Sequence, residues 1–125
     1  MSGNNARLLL VDDDPSLLRL MTLRLEGEGY QVVSTDCAET ALTLLAKQPV
    51  DVVLSDLRMP GLDGMALFDE IAKRSPGLPV VLMTAHGSIP EAVAATQRGV
   101  FGFLTKPLNN VELRDILQKA VNQSH

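Results

Sequence analysis

The sequence contains one cysteine, Cys37, no tryptophan, and only three phenylalanines and one tyrosine. A single thiol excludes an intramolecular disulfide and a thiolate zinc site. No basic run is present to track phosphates, and the few aromatics offer no stacking platform, so direct nucleic-acid binding is not expected. The apolar runs stop at four residues, as in 8–11 and 80–83. That is too short for a membrane span or the apolar core of an export signal. No membrane association is expected, and the cytoplasm is the expected compartment. Charge is only mildly one-sided, −4 from 15 acidic and 11 basic residues. A hydrophobic share of 46% excludes disorder. The 125 residues suit one domain, able to bury about two-thirds of its unfolded surface.

Five short apolar runs recur, at 7–11, 31–35, 50–55, 79–83 and 100–104, each followed by a helical pattern. The central runs are continuously apolar, as in strands covered on both faces. Asp14 before Pro15 predicts an N-cap and a first-turn proline, with Leu18, Met21 and Leu25 inward and Gly27 and Gly29 at the helix end. Asp36 with Glu39 resembles a capping box, ahead of an inward stripe of Ala38, Ala41, Leu42 and Leu45. Asp63-Gly64 opens a third helix with Leu67, Phe68, Ile71 and Ala72 inward. Ser88 with Glu91 predicts a capping box for a fourth, over 89–98, whose inward candidates are mostly alanines, Val93 being the largest. Such a helix buries little area and is a candidate moving part. Asn109 with Glu112 opens the last, with Leu113, Ile116, Leu117 and Ala120 inward. Residues 1–6 and 123–125 read as loose ends. The alternation predicts an α/β fold, (βα)₅, with a doubly wound parallel sheet.

Ligands of such sheets bind at the carboxyl ends of the strands. Just past the predicted strands come Asp12, Asp13 and Asp14, then Ser55 and Asp56, then Thr84, Ala85 and His86, then Thr105, Lys106 and Pro107. With Asp14 used as a cap, Asp12, Asp13 and Asp56 remain as free acids. Three carboxylates in one pocket repel each other and need counter-charge. Lys106 supplies one, and a divalent cation suits the rest. Oxygen ligands with open positions favour Mg²⁺. That set fits phosphoryl transfer to a carboxylate: Asp56 as nucleophile, Mg²⁺ and Lys106 against phosphoryl charge, Thr84 as a hydrogen-bond donor. Taken singly, an acid at a strand end is more often a cap, Thr84 a turn residue and Lys106 a solvated charge; convergence on one rim favours the functional reading.

The segments LLLVDDDP, VVLSDLRMPGLDG, VVLMTAHGS and GVFGFLTKP resemble the receiver domain of two-component response regulators, over about 7–121. The resemblance implies a flavodoxin-like fold with strand order 2-1-3-4-5 and phosphorylation of Asp56 by a sensor histidine kinase. It implies Mg²⁺ held by Asp13, Asp56 and the backbone carbonyl of Arg58, with Asp12 acting mainly through water. Thr84 and Phe103 would form a switch pair. Phe103 has no ring hydroxyl, so that switch would rest on packing. Lys106-Pro107 would be a cis bond, and Arg58 and His86 would tune the phosphoryl lifetime. The motifs DLRMPGLDG, TAHGSIPEAV and GVFGFLTKP are similar to the NtrC class, and AHGSIPEAVAATQRGVF to its GlrR branch. Membership would place the chain as an excised N-terminal domain, ahead of a sigma-54-dependent AAA+ ATPase and a DNA-binding domain.

Other readings compete. An aspartate-nucleophile phosphatase of the haloacid dehalogenase type wants an acid two residues past the nucleophile, where Arg58 stands. A flavodoxin needs an acid-free phosphate loop after the first strand. A stand-alone interaction module independent of phosphorylation leaves the acceptor set without a use. The expected behaviour is therefore a phosphoacceptor switch and not an enzyme, beyond assisting its own Mg²⁺-dependent phosphorylation and dephosphorylation. Its variable surface would be the fourth helix, fifth strand and fifth helix, also the expected homodimer face.

Overall fold

The computed structural model describes residues 5–85 and 89–124. Strands β1 (Arg7–Val11), β2 (Gln31–Thr35), β3 (Val52–Asp56), β4 (Val80–Thr84) and β5 (Gly102–Thr105) alternate with helices. These are α1 (Pro15–Gly27), α2 (Ala38–Lys47), α3 (Gly64–Arg74), α4 (Ile89–Gln97) and α5 (Asn110–Ser124). The strands form one parallel sheet in the order β2-β1-β3-β4-β5, as expected from the alternation and the resemblance.

Every residue of β3 and β4 is buried, as is almost all of β1, while the edge strand β2 is partly open. Side chains of a strand alternate between faces. Leu8, Leu10, Val52, Leu54, Val81 and Met83 therefore meet α1 and α5 through Met21, Leu25, Leu113 and Leu117. On the other face, Leu9, Val11, Val53, Val80 and Leu82 meet α2, α3 and α4 through Ala41, Leu67, Phe68, Ile71 and Ala95. Each fully buried Leu, Ile or Phe contributes about 1.5–3 kcal/mol by leaving water, so α3 and α5 are firmly held. Helix α4 buries Ala95 alone and is not.

Several local expectations need correction. The third, fourth and fifth strands run one residue further at their carboxyl ends than the apolar runs, because backbone pairing continues into polar positions. Asp56 and Thr84 thus end strands, where side-chain direction is fixed, instead of following them. Cys37, not Asp36, is the N-cap of α2, and it makes no side-chain cap bond; its thiol lies 3.1 Å from the Thr40 hydroxyl. Ala72 and Val93 point outward, and Leu18, Leu42, Leu45 and Ile116 are only half buried. Ala6 is not a loose end: it is buried, and its carbonyl accepts from the Gln31 amide at 2.8 Å. Residues 123 and 124 belong to α5. The caps Asp14, Asp63 and Asn109 are as expected, each accepting backbone amides of the helix that follows. The expected Ser88–Glu91 capping box and the role expected of His86 lie outside the described residues.

Candidate functional site

The carboxyl ends of β1, β3, β4 and β5 converge on one rim. Parallel register sets Val11 beside Ser55, Asp56 beside Met83, and Thr84 beside Thr105. Asp12 and Asp13 leave the end of β1, and Lys106 leaves the end of β5. The Lys106 amide donates to the Thr84 carbonyl at 2.8 Å, which ties the two residues' backbones together. Lys106-Pro107 is a cis peptide, as the resemblance implied.

Among the described residues, carboxylate oxygens of Asp12, Asp13 and Asp56 lie within 4.8 Å of one another. Asp12 has no solvent exposure, Asp56 is 7% exposed and Asp13 is open to solvent. Asp12 accepts from the Asp14 amide at 2.9 Å through one oxygen and from Lys106 Nζ at 2.9 Å through the other. Lys106 Nζ stands 3.4 Å from Asp56. Thr84 is buried at 1% exposure.

The electrostatics follow from crowding. Burial pushes the Asp56 carboxyl above its ordinary range, Asp12 and Asp13 push the same way, and Lys106 only partly opposes them. Burial works against the Lys106 ammonium, yet the hydrogen bond and charge of Asp12, joined by Asp56, together hold it above its usual value. One ammonium faces three carboxylates, so ionisation of all three leaves negative charge uncompensated. The donors are all oxygen and one is open to water. That combination fits a hard divalent cation that keeps several waters.

Two features near Asp56 were not read from sequence. A Cβ on Gly64 would sit 2.4 Å from the Asp56 carbonyl oxygen and 2.8 Å from Leu57 Cα. The Gly64 amide also donates to the Leu57 carbonyl at 2.8 Å. Only glycine lets the start of α3 lie this close to the end of β3. The Asp63-Gly64 pair signalled a helix start but not that contact. The second feature is an ion pair from Arg58 to Glu91 on α4, at 2.7 Å. The two residues are far apart in sequence, and no periodicity links them.

Phe103 is half buried on the α4 side of the sheet. It lines a cavity of about 100 Å³ with Leu57, Met65, Ala94, Ala95 and Arg98.

Comparison with known proteins agrees with the geometry. The response regulator receiver domain model matches residues 8–118. The chain is 56% identical over 124 residues to the transcriptional regulatory protein GlrR of Escherichia coli strain K12, covering 99% of this chain and 28% of that protein. It is 40% identical over 113 residues to the DNA-binding transcriptional regulator NtrC of Salmonella typhimurium, covering 90% of this chain and 24% of that one. It therefore spans less than a third of these curated relatives. A receiver domain protein from Clostridium thermocellum superimposes with a TM-score of 0.89 at 31% identity, covering 94% of this chain and 95% of that one. NtrX from Brucella abortus does so with a TM-score of 0.89 at 35% identity, covering 96% of this chain and 28% of that one. The NtrC-class and GlrR-like resemblance read from the motifs is borne out by these relatives. Among the described residues no helix is long and apolar enough to cross a membrane.

Proposed function

The chain belongs to the response regulator receiver domain family, and we propose that Asp56 is its phosphoacceptor. The observation that carries this reading is a nearly buried carboxylate at the end of the central strand β3, beside two more carboxylates and an ammonium. The other buried acid, Asp12, already accepts two hydrogen bonds, and Asp14 caps α1. Asp13 is open to solvent, which leaves Asp56 as the buried acid at the rim with an oxygen left for chemistry.

A carboxylate oxygen of Asp56 attacks the phosphorus of a phosphohistidine on a sensor histidine kinase. The new O–P bond forms as the P–N bond breaks, and the electron pair returns to the imidazole nitrogen. Asp13, Asp56 and the Arg58 backbone carbonyl would hold Mg²⁺ directly, with Asp12 mainly through water. When bound, the ion supplies charge against the phosphoryl oxygens. Lys106 pairs with another oxygen as a point charge, and Thr84 donates a hydrogen bond to a third. Arg58 and His86, two residues past Asp56 and Thr84 in the sequence, tune how long the product lasts.

The product is a dianion where a monoanion stood. It draws Thr84 and Lys106 toward itself, and only such differential contacts can shift the equilibrium between two conformations. Phe103 follows by packing into the space that Thr84 leaves, which changes the surface of α4, β5 and α5. That surface is the candidate homodimer face. The chain spans less than a third of GlrR and NtrC, and by the family resemblance it would stand at the head of a longer cytoplasmic regulator, with a sigma-54-dependent AAA+ ATPase and a DNA-binding domain downstream.

The test is intact-protein mass spectrometry after incubation with acetyl phosphate, with and without Mg²⁺, beside Asp56→Asn. One phosphoryl adduct that requires both Mg²⁺ and Asp56 is expected. An adduct that survives in Asp56→Asn would move the acceptor elsewhere.

A further inference from the structure

Arg58 stands two residues past Asp56, yet its guanidinium is turned to Glu91 in the first turn of α4, at 2.7 Å. A second pair, Arg98 with Asp69, ties the far end of α4 to α3. These contacts matter because α4 has little else. Ala95 is its one buried residue among those described, while Ile89 is 81% and Val93 48% exposed. The Arg58 pair is an ion pair that joins α4 to the loop that follows Asp56.

We propose that Arg58–Glu91 is an exchangeable latch, with Glu91 as a positioning residue that holds the guanidinium off the phosphoryl group. The inference rests on the acceptor reading of Asp56. In the unmodified protein Glu91 is the anion that Arg58 engages, and α4 is held near the loop. A phosphoryl dianion two residues from Arg58 is a stronger, bidentate partner for a guanidinium than a single carboxylate oxygen. Arg58 then leaves Glu91, covers the phosphoryl oxygens against water, and frees the first turn of α4. The latch can open because the pair is partly exposed, Arg58 at 61% and Glu91 at 31%, and such pairs are weak. One side chain would thus set both the lifetime of the modification and the freedom of α4.

The test is a double-mutant cycle on Arg58→Gln, Glu91→Gln and the pair together, since Glu91 has at least one further interaction that the cycle must cancel. Each protein is loaded with acetyl phosphate and Mg²⁺ and freed of donor. Decay of the adduct is then followed by intact mass. Hydrogen exchange of segment 89–97 is measured on the unmodified proteins. Glu91→Gln is expected to lengthen the adduct lifetime about two- to fivefold, the range a partly exposed pair supports. It should also speed exchange in α4. Both effects should vanish when Arg58 is already glutamine. Equal effects of Glu91→Gln in both backgrounds, or none in either, would overturn the latch. Failure of the parent protein to take any adduct, with acetyl phosphate or a phosphorylated kinase, would instead overturn the acceptor reading and the latch with it.

Discussion

Lys106 Nζ lies closer to Asp12, at 2.9 Å, than to Asp56, at 3.4 Å. The ammonium leans on the carboxylate that has no contact with solvent. Its first task in the unmodified protein is therefore to make a buried acid tolerable, and its proximity to Asp56 follows from that. Replacing it with methionine strands Asp12. Removing one partner of a buried pair typically costs about 3–5 kcal/mol, and Lys106→Met should lose stability on that order in urea unfolding without metal. Added Mg²⁺ should restore more stability to this variant than to the parent. Equal gains from Mg²⁺ in both proteins would mean that Lys106 and the cation do not share the same negative charge.

The pH dependence has a definite sign. Burial and then Asp12 raise the Asp56 carboxyl above its unfolded value. Folding therefore favours its protonated form. The associated stability is full below the ordinary carboxylate pKa and is lost as pH rises through the raised folded value. In chelator, the parent should lose stability relative to Asp56→Asn as pH climbs from about 4 toward 7. At neutral pH the asparagine variant should be at least as stable as the parent. Paired urea titrations across that window check both points. A parent that gains stability relative to the variant would show that Lys106 outweighs burial and the two neighbouring acids.

Gly64 is a geometric requirement of the site. The clash that a Cβ would create is with backbone, the Asp56 carbonyl oxygen at 2.4 Å, and backbone cannot turn aside as a flexible side chain would. Gly64→Ala should cost about 1–3 kcal/mol, the usual toll of overpacking. It should also slow labelling of Asp56 by acetyl phosphate, because β3 must shift at the acceptor. Gly77→Ala is the control: a Cβ there meets nothing within 4 Å. Equal behaviour of the two variants would remove the link between that close approach and the acceptor.

Most of this architecture was legible in the residues. Strand ends in a parallel sheet collect ligands, so Asp12, Asp13, Asp56, Thr84 and Lys106 could be brought to one rim from spacing alone. Strand cores were legible because burial on both faces leaves an unbroken apolar run. Their last residues were not, because Asp56 and Thr84 are polar and end an apolar pattern while backbone pairing continues. The inward faces of α2 and α4 were read too generously. Alanine-rich helices satisfy several rotations about their axes equally well, and only packing decides that Val93 points out. The Arg58–Glu91 pair had no periodic signal, since its partners meet through tertiary contact between a loop and a helix.

Phe103 tests the packing side of the switch. Its ring lines a cavity of about 100 Å³ with Leu57 from the acceptor loop and with Ala94 and Ala95 from α4. It has no hydroxyl, so it can report on Thr84 only by occupying or leaving space. Truncation to alanine enlarges a void beside the one buried residue of α4. Phenylalanine truncation in a full core costs about 3–5 kcal/mol, and a half-buried ring should fall at or below the lower end. The loss should not be uniform. Hydrogen exchange in 89–97 should rise well above that of α5, whose Leu113 and Leu117 pack on the opposite face of the sheet. Labelling of Asp56 should persist, because Phe103 is no partner in the ion pairs of the acceptor site. What should fail is the change in α4 exchange between the free and phosphorylated protein. A Phe103→Ala variant that keeps that change would place the coupling in Arg58 and Glu91 alone and reduce Phe103 to a core side chain.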